Sequence, residues 1–250
     1  MLRASFCVGV VVLFLSGTAL SESPDSLSAR EQLEGARFAL DIEQAEVALA
    51  RIDPTANPLL FADASLLLAE LKRGDYERIK DDKSLRREIG KEIDQLAKAG
   101  LAALINAEPV SERYRLEADL YATMIRTKFR GMKLQPKLEK SLEIAIEIDE
   151  ENTAAWVSMS RRPLFAKKSQ GGDVPKALEL LNRALAINPD YVPGLMFRGT
   201  ALAKLGESEA AEEDWDKAIA LNPNVAEARQ SLLVIEMDDL GRSSNNPSTR

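Results

Sequence analysis

Residue types that could perform catalysis are scarce in this chain. It has no histidine and a single cysteine, Cys7, which lies in an apolar N-terminal run. Without an imidazole, neither a Ser/His/Asp nor a Cys/His nucleophile can be assembled, and metal sites built on imidazole or thiolate are excluded too. Adjacent carboxylates such as Asp81 and Asp82 point about 100° apart on a helix, which does not suit acid and base work on one substrate. The sequence therefore predicts no catalytic residue, no cofactor, no metal and no enzyme activity.

Clustered cations are the second chemical feature. The chain carries 33 Lys and Arg against 40 Asp and Glu, a net charge of −7. Two segments nevertheless gather cations beside apolar residues. The first basic segment, residues 126–137, has no acid and contains Arg126, Lys128, Phe129, Arg130, Met132, Lys133, Leu134 and Lys137. The second basic segment, residues 161–168, contains Arg161, Arg162, Leu164, Phe165, Lys167 and Lys168.

These segments admit two interpretations. In the first, the cations complement the dipoles at helix C-termini, while Phe129 and Phe165 turn back into the core. In the second, both segments are enlarged turns on one edge of the fold, and they dock an acidic partner protein, a headgroup or a carboxylate ligand. An acidic chain argues against nucleic acid as the main partner.

A pattern that recurs after 34 residues indicates the elements that position these segments. It consists of a small, a large and a small residue at helical spacing, closed by proline. The two copies are Ala177, Leu181, Ala184, Pro189 and Ala211, Trp215, Ala218, Pro223. Such a pattern is typical of the second helix of a packed helix pair in a repeat protein. It predicts that Trp156 and Trp215 fill the core instead of forming a ligand platform.

The pattern resembles the tetratricopeptide repeat family. In the last copy, Leu195, Gly199 and Leu202 match the large, small and large residues of the family's first helix, and Gly206 matches its turn. The resemblance extends over residues 111–225. It implies an all-α solenoid of stacked antiparallel helix pairs that acts as a scaffold for protein–protein interaction. It also implies that Met196, Thr200 and Lys204, with Val157 and Arg161, line an inner groove where a partner docks.

The helical pattern predicts the following organisation. One helix covers residues 28–52, and pairs follow at 58–107, 110–149, 153–188 and 191–221. The predicted domains are a signal peptide at 1–21, degenerate helical repeats at 22–109, tetratricopeptide-like repeats at 110–225, a capping helix at 226–240, and a disordered polar tail at 241–250.

The N-terminus indicates export. An apolar run at residues 6–15 follows Arg3, and Ala19-Leu20-Ser21 has the form of a cleavage site. The run is shorter than the roughly 20 residues of a membrane span, so no integral span is expected after cleavage. The mature chain would lack cysteine, which is consistent with a bacterial periplasm.

A second resemblance covers about forty residues. Pro163-Leu164-Phe165, Gly171-Gly172-Asp173 and Lys176-Ala177 look like the helical T-component proteins that accompany some TRAP transporters. This implies an alternative function as a transporter accessory or a carrier of a small anionic ligand. Gly171-Gly172-Asp173 itself is expected to be a turn in which Asp173 caps the next helix, since it lacks the Lys and Ser/Thr of a phosphate loop. A homo-oligomer is also compatible with the sequence.

Overall fold

The computed structural model describes residues 24–226, with side chains from residue 28 onward. Within these residues there are ten α-helices and no strand. The helices are α1 Pro24–Ala39, α2 Ile42–Arg51, α3 Pro58–Arg78, α4 Lys83–Leu104, α5 Ser111–Met124, α6 Lys128–Ile148, α7 Thr153–Phe165, α8 Val174–Ile187, α9 Val192–Lys204 and α10 Ser208–Leu221. The predicted signal peptide, the capping helix from residue 226 and the tail lie outside the described residues, except for Ala226 itself.

The helices form a stack of antiparallel pairs, as the sequence predicts. The hydroxyl of Ser111, at the start of α5, donates to the carbonyl of Ala145, near the end of α6, across 2.7 Å. Each core cluster joins three successive helices: Leu66, Leu104 and Leu120 come from α3, α4 and α5. The first helices of successive pairs also contact one another. The fold is therefore an all-α solenoid in which each pair packs on its neighbours.

The last repeat shows why small and large residues alternate. A Cβ atom on Gly199 would lie 2.5 Å from Nε1 of Trp215, so only glycine permits this approach of α9 and α10. Trp215 is buried, and its Nε1 donates to the carbonyl of Met196 across 3.2 Å. Trp156 is buried as well and donates to the carbonyl of Glu150 across 2.8 Å. The prediction that both tryptophans pack in the core is confirmed.

The N-terminal region differs from the prediction of one helix over residues 28–52. Two helices occupy it, and Leu40 between them has a φ of +54°, which breaks the helix. Asp41 caps α2 by accepting from the backbone N–H of Gln44 across 3.0 Å. The cap satisfies a free N–H at the start of α2, which favours a break over a continuous helix.

The first basic segment is not an enlarged turn. α5 ends at Met124 and α6 begins at Lys128, so the extra residues lengthen α6 to 21 residues. Thr127 caps this helix by accepting from the N–H of Arg130. The local cap and helical propensity thus extend the helix where the sequence predicted a loop.

The second basic segment does end in an enlarged turn. Residues 166–173 link α7 to α8 through a short 3₁₀ helix at Lys168–Gln170. Gly171 has a φ of +95°, and a Cβ on Gly172 would lie 1.9 Å from the carbonyl oxygen of Ala166. Asp173 accepts from the N–H of Lys176 across 3.1 Å. The expected turn and cap are confirmed.

The stack curves enough to bring the last described residues close to α1. The side-chain amide of Asn224 lies just beyond α10, in the short 3₁₀ helix Pro223–Val225. It donates to the carbonyl of Phe38, near the end of α1, across 2.9 Å. These residues are 186 positions apart. The first helices of successive pairs contact one another, so they lie on the inner side of this curve. Among the described helices, none combines the length and apolar character that a membrane span requires.

Candidate functional site

The arginines of the first basic segment point inward. Both terminal nitrogens of the Arg130 guanidinium, Nη1 and Nη2, contact the Asp94 carboxylate of α4, at 2.8 and 2.9 Å. Arg126 contacts the same carboxylate at 2.5 Å and donates to the carbonyl of Gly90. Burial would raise the pKa of Asp94, but the hydrogen bonds from Arg130 and Arg126 outweigh burial and lower it. These two arginines therefore clamp α4 to the α5–α6 turn and are not free for a partner.

The arginines of the second basic segment also form ion pairs within the protein. Arg161 contacts Glu70 of α3 at 3.1 Å and lies 3.8 Å from Asp119 of α5. Arg162 contacts Glu139 of α6, and its Nε donates to the carbonyl of Gln170 across 3.1 Å. Both arginines therefore join neighbouring elements of the stack.

The lysines of both segments point outward. Lys128, Lys133, Lys167 and Lys168 are exposed, and within residues 28–226 none of them has an ion-pair partner. Among the predicted contact residues, these four lysines and Lys204 are the cations without an ion-pair partner in residues 28–226.

The aromatic residues of the two segments behave differently. Phe129 is 76% exposed, so the expectation that it turns into the core is wrong. Its position in the first turn of α6 places it on the outer surface of that helix, beyond the reach of the core. Phe165 is half covered: it packs edge-on against Phe197 with ring centres 5.5 Å apart, and the Lys204 ammonium lies 5.8 Å from its ring.

The predicted groove positions on α9 are buried. Met196 is 5% and Thr200 1% exposed, which contradicts their expected role in lining an open groove. Met196 packs in the cluster of Trp215, and the Thr200 hydroxyl donates to the carbonyl of Met196 across 2.9 Å. Val157 is buried too. The physical reason is that consecutive first helices contact one another, so residues on that side fill the space between helices. Lys204 remains partly exposed, beside Phe165.

An alternating row of arginines and carboxylates crosses the inner face instead. We call it the inner-face ladder, and its members, in spatial order, are Arg37, Asp63, Arg115, Asp119, Arg161 and Glu70. The successive N–O distances are 2.7, 3.8, 3.0, 3.8 and 3.1 Å. The members come from α1, α3, α5 and α7. The row therefore links the first helices of the stack.

The side chains at the centre of the ladder are buried and paired with one another. The side chains of Asp119 and Arg115 are only 7% and 11% exposed. Burial lowers the pKa of Arg115, yet Glu112 and Asp119 reverse this effect and raise it well above its usual value. The Ser158 hydroxyl of α7 donates to Asp119 across 2.9 Å. Buried charges are tolerated because each has a partner of opposite sign.

Tyr191, just before α9, faces the same ladder. Burial raises the pKa of its hydroxyl to about 12, against the lowering effect of Arg115 and Arg37. The charges of Arg37 on α1 and Arg115 on α5 therefore act on Tyr191 in the C-terminal repeat, which agrees with the curvature of the stack. The i, i+4 spacing of Arg115 and Asp119 was a signal in the sequence, but pairings between helices have no such signal.

Two pockets of the described region contain no free cation. One, of about 370 Å³, is lined by residues of the α2–α3 turn and α4 and contains neither Lys nor Arg. A second, of about 360 Å³, contains Lys72, whose ammonium contacts both Glu46 and Glu92 at 3.0 Å. Residues 24–226 also contain no group of three or more Cys, Asp or Glu arranged to hold a metal ion. The geometry of these pockets does not favour an anion carrier.

Comparison with known proteins identifies the fold. No family model and no curated protein matches the chain. Its structure is similar to that of TTC0263, a thermophilic TPR protein in Thermus thermophilus, with a TM-score of 0.52 and 15% identity over 84% of this chain and 97% of that one. Looser matches are YrrB, a TPR protein with an unusual peptide-binding site (TM-score 0.37, 16% identity, 83% and 91% covered), and the MamA protein (TM-score 0.35, 14% identity, 81% and 94% covered). The chain thus has a tetratricopeptide-type fold.

Proposed function

We propose that this chain is a non-catalytic scaffold that binds a partner protein on the inner face of its helix stack. The observation that carries the proposal is the inner-face ladder, a row of fixed charges contributed by the first helices. Helical solenoids offer their inner face as an extended docking surface. The absence of histidine from the sequence agrees with a role in binding.

The ladder has the features of a recognition surface. Its centre is buried, whereas the terminal members remain accessible: the side chains of Arg37 and Glu70 are 39% and 38% exposed. A partner segment with side chains of both signs could add to the row without displacing the internal pairs. Such complementarity contributes mainly to specificity and association rate. We therefore expect a partner segment in which acidic and basic residues alternate.

The test compares two neutralised pairs. Arg161→Gln with Glu70→Gln removes one charged pair of the ladder and leaves a polar amide at each position. Arg198→Gln with Asp214→Asn removes a pair on α9 and α10 whose two N–O distances are both 2.7 Å. Both variants lose one cation and one anion, so their net charge is unchanged.

The readout is crosslinking in the native host, followed by purification and mass spectrometry of the adducts. We expect the wild type and the α9–α10 variant to capture the same partner, and the ladder variant to lose it. Equal capture by both variants would exclude the ladder as the docking surface. A wild type that captures no protein would refute the scaffold function. Circular dichroism of each variant controls for folding.

The proposal includes export to the periplasm, supported by the apolar run and the cleavage-site sequence of residues 1–21. Mass spectrometry of the N-terminal peptide from a periplasmic fraction provides the test. A chain that begins near residue 22 supports export. An intact Met1 in the cytoplasmic fraction refutes it.

A further inference from the structure

The outer surface of α6 carries a feature that the scaffold function does not use. We define the lysine face as the exposed residues of the first half of α6, namely Lys128, Phe129, Met132, Lys133, Pro136, Lys137 and Lys140. It extends over about 18 Å at 1.5 Å per residue, and the one acid within residues 128–140 is Glu139, which is paired with Arg162. α6 is the second helix of its pair, so this face lies on the outside of the stack. A partner bound to the inner face would leave it uncovered.

The lysine face has an apolar centre between two cationic flanks. At about 100° per residue, Phe129 and Pro136 lie within about 20° of one another around the helix. Lys128 lies about 100° to one side of Phe129, and Lys137 about 80° to the other. Phe129 and Met132 are 76% and 72% exposed. Together, and flanked by lysines, they form the kind of exposed apolar patch that marks protein or membrane interaction sites.

The distribution of cations favours a diffuse anionic surface over a shaped protein site. The two arginines of the segment, whose planar groups suit geometric recognition, are held by Asp94. The lysines remain outside: Lys128, Lys133 and Lys137 have no ion-pair partner among residues 28–226, and the Lys137 ammonium lies 5.7 Å from the ring of Tyr121. Lysines beside exposed apolar residues are a feature of helices that lie in a membrane interface.

We propose that the lysine face docks onto an anionic lipid bilayer, with Phe129 and Met132 entering the headgroup region and the lysines contacting lipid phosphates. Each lysine near such a surface strengthens binding about fivefold. Three lysines therefore favour anionic over neutral vesicles about a hundredfold. The attraction weakens as salt rises, because the charges are exposed.

The test uses the full chain and a probe confined to α6. Cys7 is the only cysteine, so Cys7→Ser permits a single label elsewhere. An environment-sensitive fluorophore is attached at Met132→Cys, or at Ile105→Cys as a matched control. Ile105 is 70% exposed, and no Lys or Arg lies within residues 101–109. Because the label is local, binding through the apolar N-terminal run does not imitate the result.

We expect phosphatidylglycerol-containing vesicles to shift the emission of the Met132 probe to the blue, and phosphatidylcholine vesicles and the Ile105 probe to show no shift. Lys128→Gln, Lys133→Gln and Lys137→Gln together should weaken the response about a hundredfold. Lys91→Gln, Lys98→Gln and Lys176→Gln, which remove three exposed lysines elsewhere, should leave it unchanged.

Two further results would overturn the membrane proposal. One is sedimentation with vesicles while the Met132 probe stays unchanged, which places any contact elsewhere. The other is a response of the Met132 probe to soluble polyglutamate but not to vesicles, which would make the partner an acidic protein.

In the unlabelled chain, Phe129→Ser with Met132→Ser should weaken vesicle binding at least about tenfold, since it removes the apolar centre. Unaltered binding of that variant would also refute the proposal.

Discussion

The contact between Gly199 and Trp215 provides a quantitative test of the repeat packing. In Gly199→Ala, the new Cβ lies 2.5 Å from Nε1 and 2.7 Å from Cδ1 of Trp215, about 1 Å closer than ordinary van der Waals contact. Trp215 is 3% exposed and cannot rotate away without disturbing the core. Overpacking of this kind costs about 1–3 kcal/mol. Distortion of the bond from Nε1 to the Met196 carbonyl adds about 1 kcal/mol.

Helix propensity acts in the opposite direction. Replacing glycine by alanine within a helix stabilises it by about 0.5–1 kcal/mol. We therefore expect Gly199→Ala to destabilise the protein by about 1–3 kcal/mol. Gly74→Ala is the matched control, because Gly74 lies within α3, is exposed, and would have no neighbouring atom within 4 Å of an added Cβ. It should stabilise the protein by about 0.5–1 kcal/mol.

The assay is thermal unfolding followed by circular dichroism in the far-ultraviolet helix band, with tryptophan fluorescence as a second probe. In a domain of this size, 1 kcal/mol shifts Tm by about 2–4 °C. Gly199→Ala should lower Tm by about 2–12 °C and Gly74→Ala should raise it by about 1–4 °C. If Gly199→Ala is as stable as the wild type or more stable, the close approach of α9 and α10 is not the reason for glycine at this position.

Three other predictions concern charge and backbone geometry. Asp94→Asn should lower the free energy of unfolding by about 1.5–3 kcal/mol at neutral pH in urea denaturation, since it weakens the hydrogen bonds from Arg126. Because the folded-state pKa of Asp94 is lowered, this contribution is present above about pH 4 and is lost as pH falls further. The stabilities of the variant and the wild type should therefore converge in acid. In a spectrophotometric titration, ionisation near pH 12 should be present in the wild type and missing in Tyr191→Phe. Because the pKa of Tyr191 is raised, the associated stability is present below about pH 10 and lost between pH 10 and 12. A titration curve that Tyr191→Phe leaves unchanged near pH 12 would contradict the burial that raises this pKa. Gly172→Ala should destabilise the α7–α8 turn, since its Cβ would lie 1.9 Å from the Ala166 oxygen, and hydrogen exchange should increase at the start of α8; unchanged protection would refute this.

The sequence predicted the helix pairs because their signals are local. Caps such as Asp173, the closing prolines and the small and large residues of each helix act over a few residues. Both errors in the predicted helix boundaries arose where two local signals competed. At Leu40 and Asp41 a cap ended a helix that the apolar pattern continued, and in residues 126–137 a cap at Thr127 extended a helix where a loop was expected.

The candidate site depended on contacts that are distant in the sequence. Composition and spacing determined which residues were cationic and where they clustered, but not which carboxylate each arginine would meet. Arg161 pairs with Glu70, 91 positions away, and Arg130 with Asp94, 36 positions away. Folding thus paired the arginines of the two basic segments with distant carboxylates and left the lysines of these segments without an ion pair among residues 28–226. The sequence by itself determined the repeat and its helices, because their signals are local. The tertiary structure decided which charges are paired and which remain available, because charges interact through space and the curvature of the stack sets their distances.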